Sequence, residues 1–475
     1  MSTPPMSDAA QADPGASRPR TIAIVGAGFS GAVTAVQLLR QAAAPLRVLL
    51  INESGRMARG LAYGTHSNAH VLNVPAGNMS ALADDPEDFL RYCRWSDPQV
   101  QPQSFVPRRL YGAYLEALLC TAELAGEGDT GLERITGRVC ALQLGADGAA
   151  LHLQDGRVLA ADEVVLAFGH FSPRDPLPAQ AIAEAGGRYV RDPWKPGALD
   201  MIAATDDVLL VGAGLTAVDV ALALQRRPRS GRLLAMSRRG LAPQSHRPSG
   251  AVPGVIDGAA LARAMGGTLR GYVRTLHQAL RAGAARGEDW RDLVGALRAH
   301  TPALWQGLSP SDKARFLRHV QPHWDVARHR CAPQAHDAFE ALRAAGQLQS
   351  LAGRVAGVRV VHAGLEVDLQ PRGGGPVQRR LVQAIVNCTG PSSDLRRSGS
   401  ALITQLQEAG QLCPDALGLG LHVDAGYRVL GQDGHAVERL RYIGPLLKAG
   451  AWEATAVPEL RQHALRLAGL LAAVA

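Results

Sequence analysis

Short apolar runs that end in glycine recur along the chain, and two of them open directly onto a helical pattern. Residues 21–25 run into Gly26-Ala27-Gly28-Phe29-Ser30-Gly31 and then into a stretch with apolar residues at helical spacing. Residues 207–211 run in the same way into Gly212-Ala213-Gly214-Leu215-Thr216-Ala217. An apolar run, a glycine turn and a helical period together predict a strand–helix–strand unit. The second strand of the first unit is expected at 48–52, followed by Glu53, and that of the second at 231–236, followed by Ser237-Arg238-Arg239. Residues 163–168 before Gly169, and 384–389 before Gly390, repeat the strand-then-glycine ending. Helical periodicity fills about 255–350, strands return around 352–370, and a last helix is expected from about Glu453.

This order predicts an α/β fold with two Rossmann-like dinucleotide-binding domains, the second inserted into the first, and a helical cap over the cleft between them. The ending at 384–390 is read as the return to the first domain. The expected boundaries are 20–198 and 376–475 for the first, FAD-binding domain, and 199–375 for the NAD(P)H-binding domain, with the helical insertion at about 255–350. Residues 1–19 are rich in Pro, Ser, Ala and Asp. They read as a disordered tail and lack the apolar segment and basic start of a signal peptide.

The two glycine loops carry the chemistry. The first glycine of such a loop makes the tight strand-to-helix turn, the second lets backbone approach a pyrophosphate, and the third lets helix pack on strand. The helix N-terminus then attracts the phosphate charge. Gly26, Gly28, Ser30 and Gly31 are expected at one nucleotide, and Gly212, Gly214 and Thr216 at the other, with Gly169 and Gly390 bringing backbone close. Glu53 follows Gly31 by 22 positions, where a carboxylate accepts hydrogen bonds from an adenosine ribose. At the second site Ser237, Arg238 and Arg239 stand where that carboxylate would be. A guanidinium fork suits a 2′-phosphate, so NADPH is preferred over NADH there.

Composition narrows the class. The 475 residues allow two or three domains, and 47% hydrophobic content is ample for cores. The net charge of +8 does not indicate nucleic acid, because aromatic residues are only 4% and the arginines form no long basic run. Only Lys195, Lys313 and Lys448 are lysines. No stretch is apolar enough to span a bilayer. Cys93, Cys120, Cys140, Cys331, Cys388 and Cys413 form no Cys-x-x-Cys pair, which points to reduced thiols and a cytoplasmic protein, and away from dithiol exchange with a flavin.

Three segments carry a resemblance. Arg59-Gly60-Leu61-Ala62-Tyr63-Gly64 followed by Leu72-Asn73-Val74-Pro75-Ala76-Gly77-Asn78-Met79-Ser80 and Asp85-Pro86, the segment 319–333, and Ile443-Gly444-Pro445-Leu446 with Trp452-Glu453-Ala454-Thr455-Ala456-Val457-Pro458 resemble a bacterial FAD/NAD(P)-binding protein family that includes a FAD-dependent urate hydroxylase. The resemblance spans most of residues 20–470. It implies FAD held through Gly26, Gly28, Gly31 and Glu53, with NAD(P)H as reductant and oxygen as co-substrate.

Asn73, Pro75, Asn78 and Met79 are expected beside the isoalloxazine, where amides bond its pyrimidine edge and methionine packs on the ring. Gly444 and Pro445 precede a helix whose dipole would point at the flavin. The group His319, His323, Trp324, Asp325, Arg328, His329 and Arg330 is the substrate-side candidate. His319 and His323 have ligand spacing, but Pro322 breaks the helix between them, so no metal site is expected. Trp324 and Arg328, four apart, would share a face on which a ring stacks on a purine and a guanidinium meets its oxygens. Arg328, Arg330 or Lys448 would hold an anion.

The expected reaction is monooxygenation with NAD(P)H and O2 through a flavin C4a-hydroperoxide, with urate converted to 5-hydroxyisourate as its best-matched case. An N-hydroxylating or other flavoprotein monooxygenase acting on another small molecule, or a flavin reductase without oxygenation, uses the same two loops. So would a redox sensor that merely binds both nucleotides.

Overall fold

The computed structural model describes residues 18–473 except 66, 127–129, 227 and 249–252. The expected tail therefore lies, apart from its last two residues, outside the described residues.

The first sheet has six strands. In spatial order they are Arg428–Leu430, Ala436–Tyr442, Glu163–Leu166, Arg20–Val25, Leu46–Asn52 and Gly131–Thr136. All pairs are parallel except the first, and the register sets Ile22 beside both Val48 and Glu163. Ile22, Ala23 and Ile24 are fully buried, as a central strand covered on both faces requires. Helix Phe29–Gln41 is buried along most of its length because it packs between helices Arg108–Leu124 and Val457–Ala472. A small antiparallel sheet, Val139–Leu144, Ala149–Leu153 and Val158–Ala161, flanks this unit.

The second sheet has seven strands, in the order Gln378–Val382, Gly364–Pro371, Leu348–Val361, Leu233–Ser237, Val208–Val211, Ala384–Asn387 and Tyr189–Val190. Strand Leu348–Val361 serves twice. Its first residues, to Ala352, pair in parallel with Leu233–Ser237, and from Gly353 onward it forms an antiparallel hairpin with Gly364–Pro371 that carries a register shift between Val355 and Gly357. Helices Leu215–Leu224 and Pro333–Ala344 cover one face, and Ala179–Ala185 packs against Leu348–Val361.

The fold is thus α/β with two Rossmann-type units. One expected boundary is corrected. Ala384–Asn387 pairs with Val208–Val211, so this strand belongs to the second sheet and not to the first. The strand-then-glycine ending could not tell the two apart because both units use it: an ideal Cβ on Gly26 would lie 2.7 Å from the Ala167 carbonyl oxygen, and one on Gly212 would lie 2.3 Å from that of Cys388. The crossing points are Phe171 and Ser392. Their backbones exchange hydrogen bonds of 2.8 and 3.0 Å, tying the outgoing and returning chains together.

The helical insertion runs from Gly258–Ala264 through Leu269–Ala285, Trp290–Ala296, Thr301–Gly307 and Pro310–Arg315 to a π turn, Phe316–Val320, that enters helix Gln321–Arg328. Pro322 explains the π turn, because it lacks an N–H and its ring presses on the preceding turn. The insertion docks on the first unit. Trp305 packs on Trp452 at 4.6 Å between ring centroids and donates to the Ala449 carbonyl at 3.0 Å, while Arg298 forks onto Glu459 at 2.5 and 2.7 Å. The last helix begins at Val457 instead of Glu453, with Pro458 in its first turn. Among the described residues no helix is long and apolar enough to cross a membrane.

Candidate active site

Both glycine loops sit at the carboxyl ends of parallel strands, and both lead into helices whose N-caps, Gly28 and Gly214, make no side-chain capping bond. Their first-turn N–H groups therefore point outward without an intrahelical partner. Gly31 must be glycine, since a Cβ there would lie 1.9 Å from the Gly26 carbonyl oxygen. Ser30 is buried in the first helical turn, where its carbonyl accepts from Thr34. Glu53 follows the second strand as expected. Its carboxylate is largely exposed and bonded by Arg138.

A cavity of about 1100 Å³ opens on the second loop. Gly212, Gly214, Thr216, Ser237, Arg238 and Gly390 all line it. No atom lies within 4 Å of a Cβ built on Gly214 or Gly390, so backbone is open there to a ligand. The second arginine of this wall is not Arg239 but Arg354, from strand Leu348–Val361. Arg239 Nη2 donates to the Arg318 carbonyl at 2.5 Å. That carbonyl stands four residues before Pro322, which has no N–H to offer it.

A second cavity, of about 940 Å³, is lined by Asn73, Pro75, Asn78 and Met79 together with Arg328 and Arg330. The loop carrying Asn73 and Met79 is held from behind: Leu72 donates to the Val106 carbonyl at 2.9 Å and Ala76 to that of Ser104 at 2.8 Å. His246 Nε2 donates to the Asn73 carbonyl at 2.8 Å. Thr455, Ala456 and Val457 bring the N-terminus of the last helix to the same cavity.

Arg247, Arg291 and Arg298 also line this cavity, and sequence reasoning missed them together with Tyr63 and His246. Four of its five arginines are matched by carboxylates. Arg247 pairs with Asp292 at 2.6 Å, Arg291 with Asp289 at 3.2 Å, Arg298 with Glu459 at 2.5 Å and Arg328 with Glu453 at 2.6 Å. Arg330 has no carboxylate partner among the described residues, and its Nε is buried without a hydrogen bond. Burial, and then Arg328, Arg291 and Arg247 around it, push its pKa down to about 10, so it stays charged at neutral pH.

His329 lines both cavities. Desolvation and the cations Arg328, Lys448 and Arg298 push its imidazole down to about 3, so the ring itself is neutral near pH 7. One turn earlier, Asp325 lies 3.8 Å from His329 Nε2 and is held above the usual carboxylate range by burial.

Other expected residues fall elsewhere. Lys448 is on neither wall: its Nζ sits 4.1 Å over the Trp452 ring, and burial lowers its pKa despite Asp325 and Glu453. Trp324 turns to a separate apolar cavity of about 80 Å³ with Trp305 and Trp452, so it does not share a substrate face with Arg328. An indole gains more by burial among tryptophans than at a charged wall. His319 and His323 are exposed on the outside of the cap. Gly444 adopts φ 144°, and the adjoining Pro445 is buried. Tyr442 beneath them donates to the Phe168 carbonyl at 3.0 Å and accepts from Leu446 N–H at 3.1 Å. A Cβ on Gly169 would meet no atom within 4 Å. All six cysteines are free thiols.

Comparison with known proteins agrees with this geometry. Residues 23–171 match the model of a family described as FAD-NAD(P)-binding, and the expected cofactors, FAD and NAD(P)H, are borne out by that match. No curated protein sequence matches the chain. Among solved structures the chain is similar to the ornithine hydroxylase of Pseudomonas aeruginosa, at 14% identity and TM-score 0.61 over 96% of this chain and 99% of that one. It is also similar to the ornithine N-hydroxylase of Kutzneria sp. 744, solved with reduced FAD, NADP+ and L-ornithine, at 16% identity and TM-score 0.60 over 94% and 97%. L-lysine 6-monooxygenase of Pseudomonas syringae is matched at 16% identity and TM-score 0.60 over 96% and 100%. At these identities the likeness is one of fold, and it extends through the helical cap.

Proposed function

We propose that the protein is a flavin-dependent NAD(P)H monooxygenase that hydroxylates a nitrogen of a small molecule. The observation that carries this reading is that one residue, His329, lines both large cavities, one against the second glycine loop and one against the Asn73–Met79 loop. A nicotinamide in the first and an isoalloxazine in the second would face each other across that residue. The match of fold over nearly the full length of N-hydroxylating enzymes supports nitrogen as the acceptor atom.

FAD, when bound, supplies hydride acceptance from NAD(P)H and the activation of O2. The chain's own residues do the rest. Gly212, Gly214 and Thr216 would receive the coenzyme pyrophosphate on first-turn N–H groups, while Ser237, Arg238 and Arg354 would take a 2′-phosphate. Gly26, Gly28, Ser30, Gly31 and Glu53 would hold the adenine half of the flavin nucleotide. Asn73 and Asn78 would bond the ring edge, with Pro75 and Met79 packed against it. The helical cap, which contributes Arg291 and Arg298 to the cavity wall, would limit the access of water to the reacting atoms. His329, neutral near pH 7, would accept or donate a hydrogen bond without adding charge beside the nicotinamide.

A second reading, hydroxylation of urate to 5-hydroxyisourate, is favoured by one observation: the arginine-rich wall suits a planar oxoanion. Otherwise it rests on the sequence resemblance alone.

The test is oxidation of NADH and NADPH by the FAD-loaded protein under air with L-ornithine, L-lysine, cadaverine or urate, following hydroxylamine formation, urate loss and hydrogen peroxide. Stimulated oxidation with a hydroxylamine product supports nitrogen hydroxylation, and urate consumption supports the second reading. Peroxide as the sole product with every compound removes both.

A further inference from the structure

Charge matching in the flavin-side cavity leaves one guanidinium over. Arg247, Arg291, Arg298 and Arg328 each meet a carboxylate within 3.2 Å. His246 and His329 on the same wall are pushed down to about 4 and about 3, chiefly by burial, so neither adds charge near pH 7. Arg330 alone of the five forms no ion pair among the described residues, and its Nε is buried and unbonded. Leaving a charge unpaired out of water is costly, and an anionic ligand entering the cavity would relieve that cost at the half-buried Arg330.

Arg330 is also held in place. It is in the connection between helices Gln321–Arg328 and Pro333–Ala344, next to Cys331, whose backbone N–H donates to Gln244 at 2.9 Å and whose carbonyl accepts from His246. Its guanidinium carbon lies 5.9 Å from the Trp290 ring centroid, and the same ring carries Arg291 at 4.6 Å. A planar cation stacked on an indole is pre-oriented to present its fork to a planar anion. Arg328, the other expected anchor, is already committed to Glu453. The N-terminus of the sixteen-residue helix Val457–Ala472 opens on the same cavity and adds a positive end.

We infer that Arg330 is the anchor for a carboxylate on the substrate, so that the enzyme selects acids and rejects amines or amides that lack an anionic group. This rests on the monooxygenase reading for the word substrate, but the anion site itself can be tested without turnover.

The experiment is titration of the flavin absorbance of the FAD-loaded protein with two matched pairs, glutarate with glutaramide and benzoate with benzamide. At least one acid is expected to bind saturably and at least tenfold more tightly than its amide. Arg330→Ala is expected to abolish that difference and Arg330→Lys to retain part of it, both with normal FAD content. The inference is overturned if neither acid perturbs the flavin, or if the acid–amide difference survives Arg330→Ala. Loss of FAD from both variants would assign the guanidinium to the cofactor and overturn it too, as would displacement of the acids by NADP+, which places them in the other cavity. Acid binding at Arg330 with no oxygenated product from any amine or from urate would instead sink the monooxygenase reading and leave the anion site standing.

Discussion

Arg108 Nη2 meets Asp219 Oδ2 at 2.7 Å, joining helix Arg108–Leu124 of the first unit to helix Leu215–Leu224, which follows the second glycine loop. Both side chains are almost out of solvent. Arg108 also donates from Nε to the Val71 carbonyl at 3.0 Å and lies 5.4 Å over the Trp194 ring. Burial raises the Asp219 pKa, opposed by Arg108. One ion pair thus fixes the loop region that leads to Asn73 against the helix that would receive the coenzyme phosphate.

Removing one partner leaves the other charge buried alone. Arg108→Met is expected to destabilise by about 3–5 kcal/mol, whereas Arg108→Met with Asp219→Leu recovers most of that loss. Denaturant unfolding of the two variants checks this. Equal stability of the single and double variants would show that the pair does not couple the units.

The two glycine loops should fail separately. Gly212→Ala places a Cβ 2.3 Å from the Cys388 carbonyl oxygen at φ 118°. FAD content should be kept while the rate of flavin reduction by NADPH drops at least tenfold. Gly31→Ala, 1.9 Å from the Gly26 carbonyl oxygen, should instead lose FAD. Stopped-flow reduction and the flavin-to-protein absorbance ratio separate the two outcomes.

Coenzyme choice should depend on Arg238 and Arg354 but not on Arg239. Alanine at either of the first two is expected to raise the KM for NADPH by tenfold or more and leave that for NADH unchanged. Arg239→Ala should leave both KM values alone and cost on the order of 1 kcal/mol in stability, the price of one lost hydrogen bond. Steady-state kinetics with both coenzymes decides it.

Stability should fall on acidification. Burial pushes His70 and His246 down to about 4 and His329 to about 3. Between the ordinary imidazole value near 6.5 and those values the unfolded chain binds more protons than the folded one, so protons favour unfolding. Stability is therefore full above about pH 6.5 and declines steadily toward pH 4. His246→Gln, which can still donate to the Asn73 carbonyl, should flatten that slope. Thermal unfolding from pH 4 to pH 8 measures both, and an unchanged Tm across that range would contradict it.

The sequence by itself determined what is local. Each glycine loop was legible because the turn, the close approach and the helix start occupy six consecutive residues, and at Gly31 the steric exclusion is itself local, against the Gly26 carbonyl oxygen. The Asn73–Met79 loop was legible for the same reason, as one continuous stretch that reaches one cavity. What only the tertiary structure decided is which distant groups share a wall. Strand Ala384–Asn387 has the same local pattern as Glu163–Leu166, and only its pairing with Val208–Val211 assigns it to the second sheet. Arg238, Arg239 and Arg354 are alike in charge, but Pro322 leaves a carbonyl that claims Arg239. Arg328, Arg330 and Lys448 were equal candidates in sequence. Glu453 takes the first, Trp452 covers the last, and Arg330 is left facing the cavity, because a charge is available to a ligand only where the fold has brought no partner to it.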